Sequence, residues 1–446
     1  MSKLFEEFQP ISAKQWKQKV QFDLKGADYN KTLLWHSPEG IDVKPFYHAD
    51  DSVEIAPIQG RSASWKICQS IVVEEDKQAN SAALDALERG AESIFFTLQK
   101  EHIDPDRLLH GLDGLSIHAS SSFLSPDLIQ GLAEKATAKH IRLFVHTDIL
   151  GHLARTGNWF FDNERDHKLF SSITKLNSNV ASVDTSLYQN AGATVVQQLA
   201  YALAQANEYL NFGYAAPVTF NVSVGTNYFF EIAKLRALRW LWNTLASEYG
   251  ISEDCHIVAT PTKRNKTVYD YNTNLLRTTT EYMSAVLGGA DTICPLAYDA
   301  IYHKENEFGS RIARNQLLIL KSESYFDKVE NPSDGAYYIE SLTQQLAEKA
   351  LLLFKDIEAG GGFLSQLKKG VIQRKIRESA QEEQIAFNNH DKILVGTNKY
   401  ANKNDRMKDD LEIDPFVKKQ VRQTVLEPIV EKRLSEQIEK ERLATE

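Results

Sequence analysis

Hydrophobic positions between residue 66 and about 320 follow two alternating rhythms. Short runs rich in β-branched and aromatic residues recur at 66–73 (KICQSIVV), 93–98 (SIFFTL), 115–119 (LSIHA), 141–146 (IRLFVH), 179–184 (NVASVD), 218–224 (VTFNVSV), 256–260 (HIVAT) and 291–295 (DTICP). Runs of this length and composition predict strands buried on both faces. Between them apolar residues recur at helical spacing. Over 227–249, Phe230, Ala233, Ala237, Leu241, Thr244 and Leu245 share one face, and over 193–210 Val196, Leu199, Ala200, Leu203, Ala206 and Asn207 repeat the pattern. Strand–helix alternation of this kind predicts parallel strands joined by right-handed crossovers. Eight units in about 250 residues fit an α/β fold, a closed (β/α)8 TIM barrel. The second unit is the weak one, because DPDRLLHG at 104–111 has room for barely one helical turn.

The expected organisation has four parts. Residues 1–50 form an arm with one short helix at 12–23 and an extended stretch, GIDVKPFY. The arm has too little apolar surface to be a domain, so it either contacts another subunit or caps its own barrel. Residues 51–325 form the barrel and 326–400 add helices packed on it, two of them within 341–385 and separated by Gly360-Gly361-Gly362. Residues 401–446 form a charged tail whose end, IVEKRLSEQIEKERLATE, reads as a solvated, single-faced helix.

Composition narrows the function classes. Of 446 residues, 51 are basic and 60 acidic, a formal net charge of −9, with 42% hydrophobic and 25% charged residues. That is a globular balance. The acidity argues against nucleic acid as the main partner, since phosphate binding needs clustered Lys and Arg. No run approaches the roughly 18 apolar residues of a membrane helix. The opening MSKLFEEFQPISAKQ has neither a signal peptide's apolar core nor the acid-poor character of a transit peptide. Three scattered cysteines, Cys68, Cys255 and Cys294, make no disulfide framework. The expected compartment is the reducing cytoplasm.

Chemical signals read from the residues are sparse. The triple glycine follows a helical stretch and lacks a phosphate loop's Lys-Ser/Thr, so it reads as a helix–helix turn. The cysteines lie in strands, where free thiols behave as small hydrophobes, and no pair has metal-ligand spacing. Asp254-Cys255-His256-Ile257-Val258-Ala259 has the shape of a cobalamin-ligating D-x-H-x-x-G loop, but Ala259 replaces the glycine and His256 opens a strand. His110, His118, His146, His152 and His303 are either acid–base groups or polar residues at strand ends. Glu231, Lys234 and Arg236 are expected in ion pairs within a helix or between helix and barrel.

Several longer blocks carry more information. They are QNAGATVVQQLAYALAQANEYL (189–210), NYFFEIAKLRALRWLWNTLASEYG (227–250), NLLRTTTEYMSAVLGGADTI (274–293), GSRIARNQLLILKSES (309–324), NPSDGAYYIESLTQQLAEKA (331–350) and GTNKY (396–400). In content and order they resemble the barrel of the methylmalonyl-CoA mutase family. The opening WKQKVQFDLKGADYNKTLLWHSPEGIDVKPFY is similar to the start of that family's small, or beta, subunits. The resemblance implies a heteromeric, adenosylcobalamin-dependent isomerase of propionate metabolism. In it a large (alpha) subunit binds the cofactor and interconverts methylmalonyl-CoA and succinyl-CoA, beside a related chain that does no chemistry.

Departures from the family pattern support the second role. Where the resemblance implies a catalytic histidine before the Q-E-A-G motif, this chain has Leu187, followed by Tyr188-Gln189-Asn190-Ala191-Gly192. Leucine neither donates a hydrogen bond nor moves a proton. Where the resemblance implies a substrate-binding arginine, this chain has Asn211, which lacks the bidentate cationic fork. Ile58 stands near a family tyrosine position, and Thr260-Pro261-Thr262-Lys263-Arg264-Asn265-Lys266 replaces a T-H-S-Q-T-S-G run. The chain also stops short of a cobalamin domain. The expectation is therefore no catalytic residue, no bound cofactor and no metal in this chain, with the large subunit as partner. The alternative is an active acyl-CoA mutase barrel that borrows cobalamin from a separate chain. A scaffolding barrel unconnected with the mutase is a further reading.

Overall fold

The computed structural model describes residues 7–51, 58, 63–177, 179–417 and 422–446. Two short strands near the amino terminus, β1 (Trp35–His36) and β2 (Asp42–Val43), pair antiparallel. Eight parallel strands follow: β3 (Lys66–Val73), β4 (Ser93–Leu98), β5 (Ser116–Ser121), β6 (Arg142–His146), β7 (Ser182–Asp184), β8 (Thr219–Val224), β9 (His256–Pro261) and β10 (Thr292–Ile293). Their hydrogen-bonded order is β6-β5-β4-β3-β10-β9-β8-β7. A parallel bridge between Thr147 and Ala181 brings β6 back to β7. The fold is the expected (β/α)8 TIM barrel, and each of the eight runs read from the sequence overlaps one of its strands.

Alternation along the strands explains why both faces are buried. Successive side chains point to opposite sides. Ile67, Ile71 and Val73 on β3, Ile94, Phe96 and Leu98 on β4, and Phe220, Val222 and Val224 on β8 lie in the main core beneath the helices. The residues between them face the lumen. Helix Val195–Asn211 starts at a capping box in which the Thr194 hydroxyl accepts the Gln197 N–H and the Gln197 side chain accepts the Thr194 N–H, as the T-V-V-Q spacing allows. Helix Tyr228–Glu248 is buried on nearly every side, Trp242 included. Helix Tyr337–Ala359 packs against both of these. The second unit holds only the four-residue helix Pro105–Leu108.

Both flanks differ from expectation. After Ala359 the chain turns at Gly361 and Gly362, whose φ values of +104° and +86° suit glycine. It then forms two further helices, Phe363–Lys368 and Val371–Asn388, broken at Gly370. The tail is not a solvated helix. Among its described residues only Glu436–Leu443 is helical, and Glu436 and Glu439 are 2% and 1% exposed. Arg433 is buried with them and meets Glu439 at 2.6 Å, a pairing that periodicity cannot reveal.

The amino-terminal arm has two halves. Helix Ala13–Asp23 has no buried residue. Further on, the chain turns to its own barrel: the Trp35 ring lies 5.7 Å from Phe230 and the Tyr47 ring 4.9 Å from Tyr338. The Glu39 carboxylate accepts the Val195 and Val196 N–H groups at 2.8 and 2.9 Å, which satisfies two otherwise unpaired donors at a helix start.

Candidate functional site

In this fold, chemistry belongs at the carboxyl ends of the strands, where the βα loops gather. Helix Ser186–Ala191 follows β7 there. Leu187 is 1% exposed and packs in the main core. The polar residues beside it are committed to the chain itself. Gln189 donates to Glu231 at 3.1 Å and accepts from Lys234 at 2.8 Å. Lys234 also donates to the Ser223 carbonyl at 2.7 Å and pairs with Glu231 at 2.5 Å. Burial pulls the Lys234 ammonium down from its usual value, and Glu231 opposes the shift. Asn190 accepts from the Thr262 hydroxyl at 2.7 Å and the Lys263 N–H at 3.0 Å, and donates to Glu431 at 3.0 Å.

The loop after β9 is spoken for in the same way. Arg264 pairs with Glu383 at 2.5 Å and donates to the Lys432 carbonyl at 2.8 Å. Lys266 pairs with Glu281 at 2.8 Å, both fully buried. The carboxyl-terminal tail then crosses this face. Ile429 N–H donates to the Ala154 carbonyl, Lys432 N–H to that of Asn190 and Leu434 N–H to that of Arg264, at 2.8, 3.1 and 2.9 Å. Glu431 adds an ion pair to Arg155 at 2.7 Å, and Arg155 also holds Asp184 at 2.6 Å.

Asp148, which follows β6, carries a strongly shifted carboxyl on this face and was not legible in the sequence. Burial pushes it up to about 6, against the hydrogen bonds it accepts. Tyr209 and Gln205 each donate to it at 2.6 Å, Gly151 N–H at 2.7 Å and Asp184 N–H at 2.8 Å. The Asp184 contact spans the β6–β7 joint, where the sheet has only a single bridge. Three donors reach its Oδ1 and the Asp184 N–H reaches its Oδ2, so it works as a clasp across the weakest joint of the ring.

The structure does not bring Leu187 and Asn211 together. Leu187 follows a strand at the carboxyl face, whereas Asn211 ends the helix that returns toward the start of β8. That 17-residue helix spans about 25 Å. Asn211 is exposed and accepts the Tyr249 hydroxyl at 2.6 Å. A substrate carboxylate held beside residue 187 could not also meet residue 211. Ile58 is buried.

Two of the sequence-predicted histidines do converge, inside the barrel. His118 on β5 and His146 on β6 share a 3.0 Å hydrogen bond between Nδ1 and Nε2. Phe95 and Phe144 stack on His118 with ring centres 5.8 and 4.7 Å away, and His256 lies 4.2 Å from Phe144. These rings cross the middle of the lumen. Burial, then His146 and His256, hold His118 well below its usual value, and burial takes His146 to about 3. Both are neutral at pH 7. His256 also bonds Thr292 at 3.0 Å, so the D-x-H sequence serves a strand and not a ligand loop. Toward the amino end the rings leave a cavity of about 60 Å³ lined in part by Arg142, Phe144, Thr219 and His256. His110 is exposed, His152 stacks on Phe160 at 3.6 Å and His303 meets Asp299 at 3.2 Å, each apart from the others. The expected ion pairs are present: Lys234 with Glu231, and Arg236 with Asp334 at 2.7 Å.

Comparison with known proteins agrees with this architecture. The profile of the methylmalonyl-CoA mutase family matches residues 116–445. The chain is 35% identical to the methylmalonyl-CoA mutase small subunit of Porphyromonas gingivalis, over 90% of this chain and 71% of that protein. It is 29% identical to the methylmalonyl-CoA mutase of Rhizobium meliloti, over 86% of this chain and 63% of that protein. The large subunit from the same Porphyromonas gingivalis strain is 30% identical over 64% of this chain and 42% of its own length.

Proposed function

The chain belongs to the methylmalonyl-CoA mutase family, and from that premise we propose that it is the non-catalytic small subunit of a heteromeric, cytoplasmic enzyme. Its large-subunit partner binds adenosylcobalamin and interconverts methylmalonyl-CoA and succinyl-CoA. The observation that carries this reading is the self-occupied carboxyl face. Leu187 is in the core, and Asn190, Arg264 and Lys266 all pair with the chain's own residues, two of them with its tail.

The residues do not fit a cobalamin. A cobalt ligand needs an imidazole with a lone pair free to leave the protein surface, and His256 is stacked in the lumen beside Phe144. The face where a cofactor would approach an acyl group is crossed by residues 426–434. No helix among the described residues is long and apolar enough to cross a membrane. The exposed rings of Trp16 and Phe22, 48% and 78% exposed on a helix with no buried residue, support a subunit contact there.

Co-expression with a methylmalonyl-CoA mutase large subunit tests the proposal. The two chains are expected to purify together and to turn over methylmalonyl-CoA, while this chain alone, with excess adenosylcobalamin, gives none. Turnover by the partner-free chain would overturn the reading in favour of an active barrel borrowing its cofactor. Failure to co-purify would reject the subunit role.

A further inference from the structure

The first and last strands of the barrel meet along a short seam. β10 pairs with β3 through two positions, Thr292 with Lys66 and Ile293 with Ile67. One residue further along each strand stand Cys294 and Cys68, so the register sets the two cysteines side by side. Ile67 and Ile293 point outward into the helix-covered core, and alternation therefore turns both thiols into the lumen. They pack in one small cluster there with Val258 and against Phe95. Adjacent strands lie about 4.8 Å apart, inside the Cα separation of about 4.4–6.8 Å that a disulfide spans. The third cysteine has a different setting. Cys255 belongs to the outer core and meets Arg239, whose Nη1 lies 3.7 Å from its sulfur.

We propose that Cys68 and Cys294 are a peroxide-sensitive dithiol that closes the barrel seam covalently when oxidised. The site is approachable by an oxidant as small as hydrogen peroxide. Above Cys68 on the same lumen-facing row of β3, Ser70 is half-buried and Val72 is 47% exposed, so solvent reaches this row one step above the buried Cys68. Cys294, 4% exposed against 0% for Cys68, is the first to react. Its thiolate attacks one peroxide oxygen, the O–O bond breaks, a sulfenic acid forms, and the departing hydroxide takes up the thiol's proton and leaves as water. The Cys68 sulfur then attacks the sulfenic sulfur, and its proton leaves with the displaced hydroxide as a second water. Two sulfurs each give up one electron and one peroxide is reduced to two waters. Burial and the neighbouring Cys294 hold the Cys68 thiol well above its usual value, which slows the second step. The inference concerns the barrel's own seam and stands whether or not the chain is a mutase subunit.

The test uses the purified full-length chain treated with hydrogen peroxide. The thiol titre in denaturant is expected to fall from three per chain to one, with intact mass lower by two hydrogens. Peptide mapping should then find a link between Cys68 and Cys294, and dithiothreitol should restore all three thiols. In the Cys68→Ser or the Cys294→Ser variant no intrachain link should form. A titre that stays at three, a link through Cys255, or oxidation that stops at sulfinic acid without a link overturns the proposal. The wild-type measurement decides the matter even where a serine variant folds poorly.

Discussion

Leu187→His puts the family's imidazole back where the resemblance locates it, and it should give no activity at a measurable cost in stability. Leu187 is 1% exposed and surrounded by the main core. Losing a buried leucine removes about 1.5–3 kcal/mol of apolar transfer. A neutral imidazole in its place brings one donor and one acceptor, and each left without a partner costs about 1–3 kcal/mol. The polar groups nearby, Gln189 and Asn190, already have their partners. The sum is about 3.5–9 kcal/mol, which at a urea m-value of about 3 kcal/mol/M lowers the denaturation midpoint by roughly 1–3 M. Urea unfolding followed by far-UV circular dichroism reads that shift. A coupled assay for succinyl-CoA, run with adenosylcobalamin and without a partner chain, reads activity. Turnover above background, or a midpoint equal to that of the parent, would refute the argument that this position is core.

Three further outcomes follow from the same structure. Lys234→Met strands the buried Glu231 carboxylate and should destabilise the chain by about 3–5 kcal/mol, whereas Glu231→Gln combined with Lys234→Met should recover most of that loss; equal losses in the two variants would reject a buried pair. Because His118 and His146 are held below the ordinary imidazole value of 6.5, with His146 at about 3, their contribution to stability is complete above pH 6.5 and is lost as the pH falls from there toward 3. His118→Phe should flatten that acid limb in chemical denaturation, and an unchanged slope would show that the barrel histidines do not set it. Removing residues 1–24 should leave the melting transition intact and weaken co-purification with a large subunit, while removal through residue 47 should also destabilise the barrel by taking away Trp35 and Glu39; undiminished partner binding by the shorter truncation would reject the projecting helix as a contact.

The barrel was legible because its strands are short apolar runs at regular intervals, and helical spacing between them fixed the alternation. Strand lengths were less so: Thr292–Ile293 is a two-residue strand within the run DTICP, since ladder hydrogen bonds depend on neighbours that no local pattern encodes. The site was harder. His118, His146 and His256 are far apart in sequence, and it is the inward register of β5, β6 and β9 that stacks them with Phe95 and Phe144. That Asn211 lies at the far end of the helix Val195–Asn211 from Leu187 was not legible, because motif order says nothing about which end of a helix a residue occupies. The tail misled for a related reason. Its alternating Glu, Lys and Arg read as a solvated face, but Arg433 and Glu439 neutralise each other in the interior, and charge periodicity looks the same whether the partner is water or protein.

Two closures at different levels of the barrel make the proposed loss of catalysis hard to reverse. Across the carboxyl face, Glu431 ties the tail to Arg155 and Asn190, and Arg433 donates to the Lys266 carbonyl at 3.0 Å. In the middle of the lumen, the rings of Phe95, His118, Phe144 and His256 fill the path along the axis. An acyl-CoA lying along that axis with its acyl group at the carboxyl face would have to displace both. Neither closure depends on the other, because the tail bonds to loops and the rings hang from strands. A single reverted side chain therefore leaves at least one obstruction in place. Both closures also contribute to stability, the first through the tail's hydrogen bonds and ion pair and the second through aromatic packing. Opening either would weaken the barrel before it admitted a substrate, and on the subunit reading an intact barrel surface is what the partner chain requires.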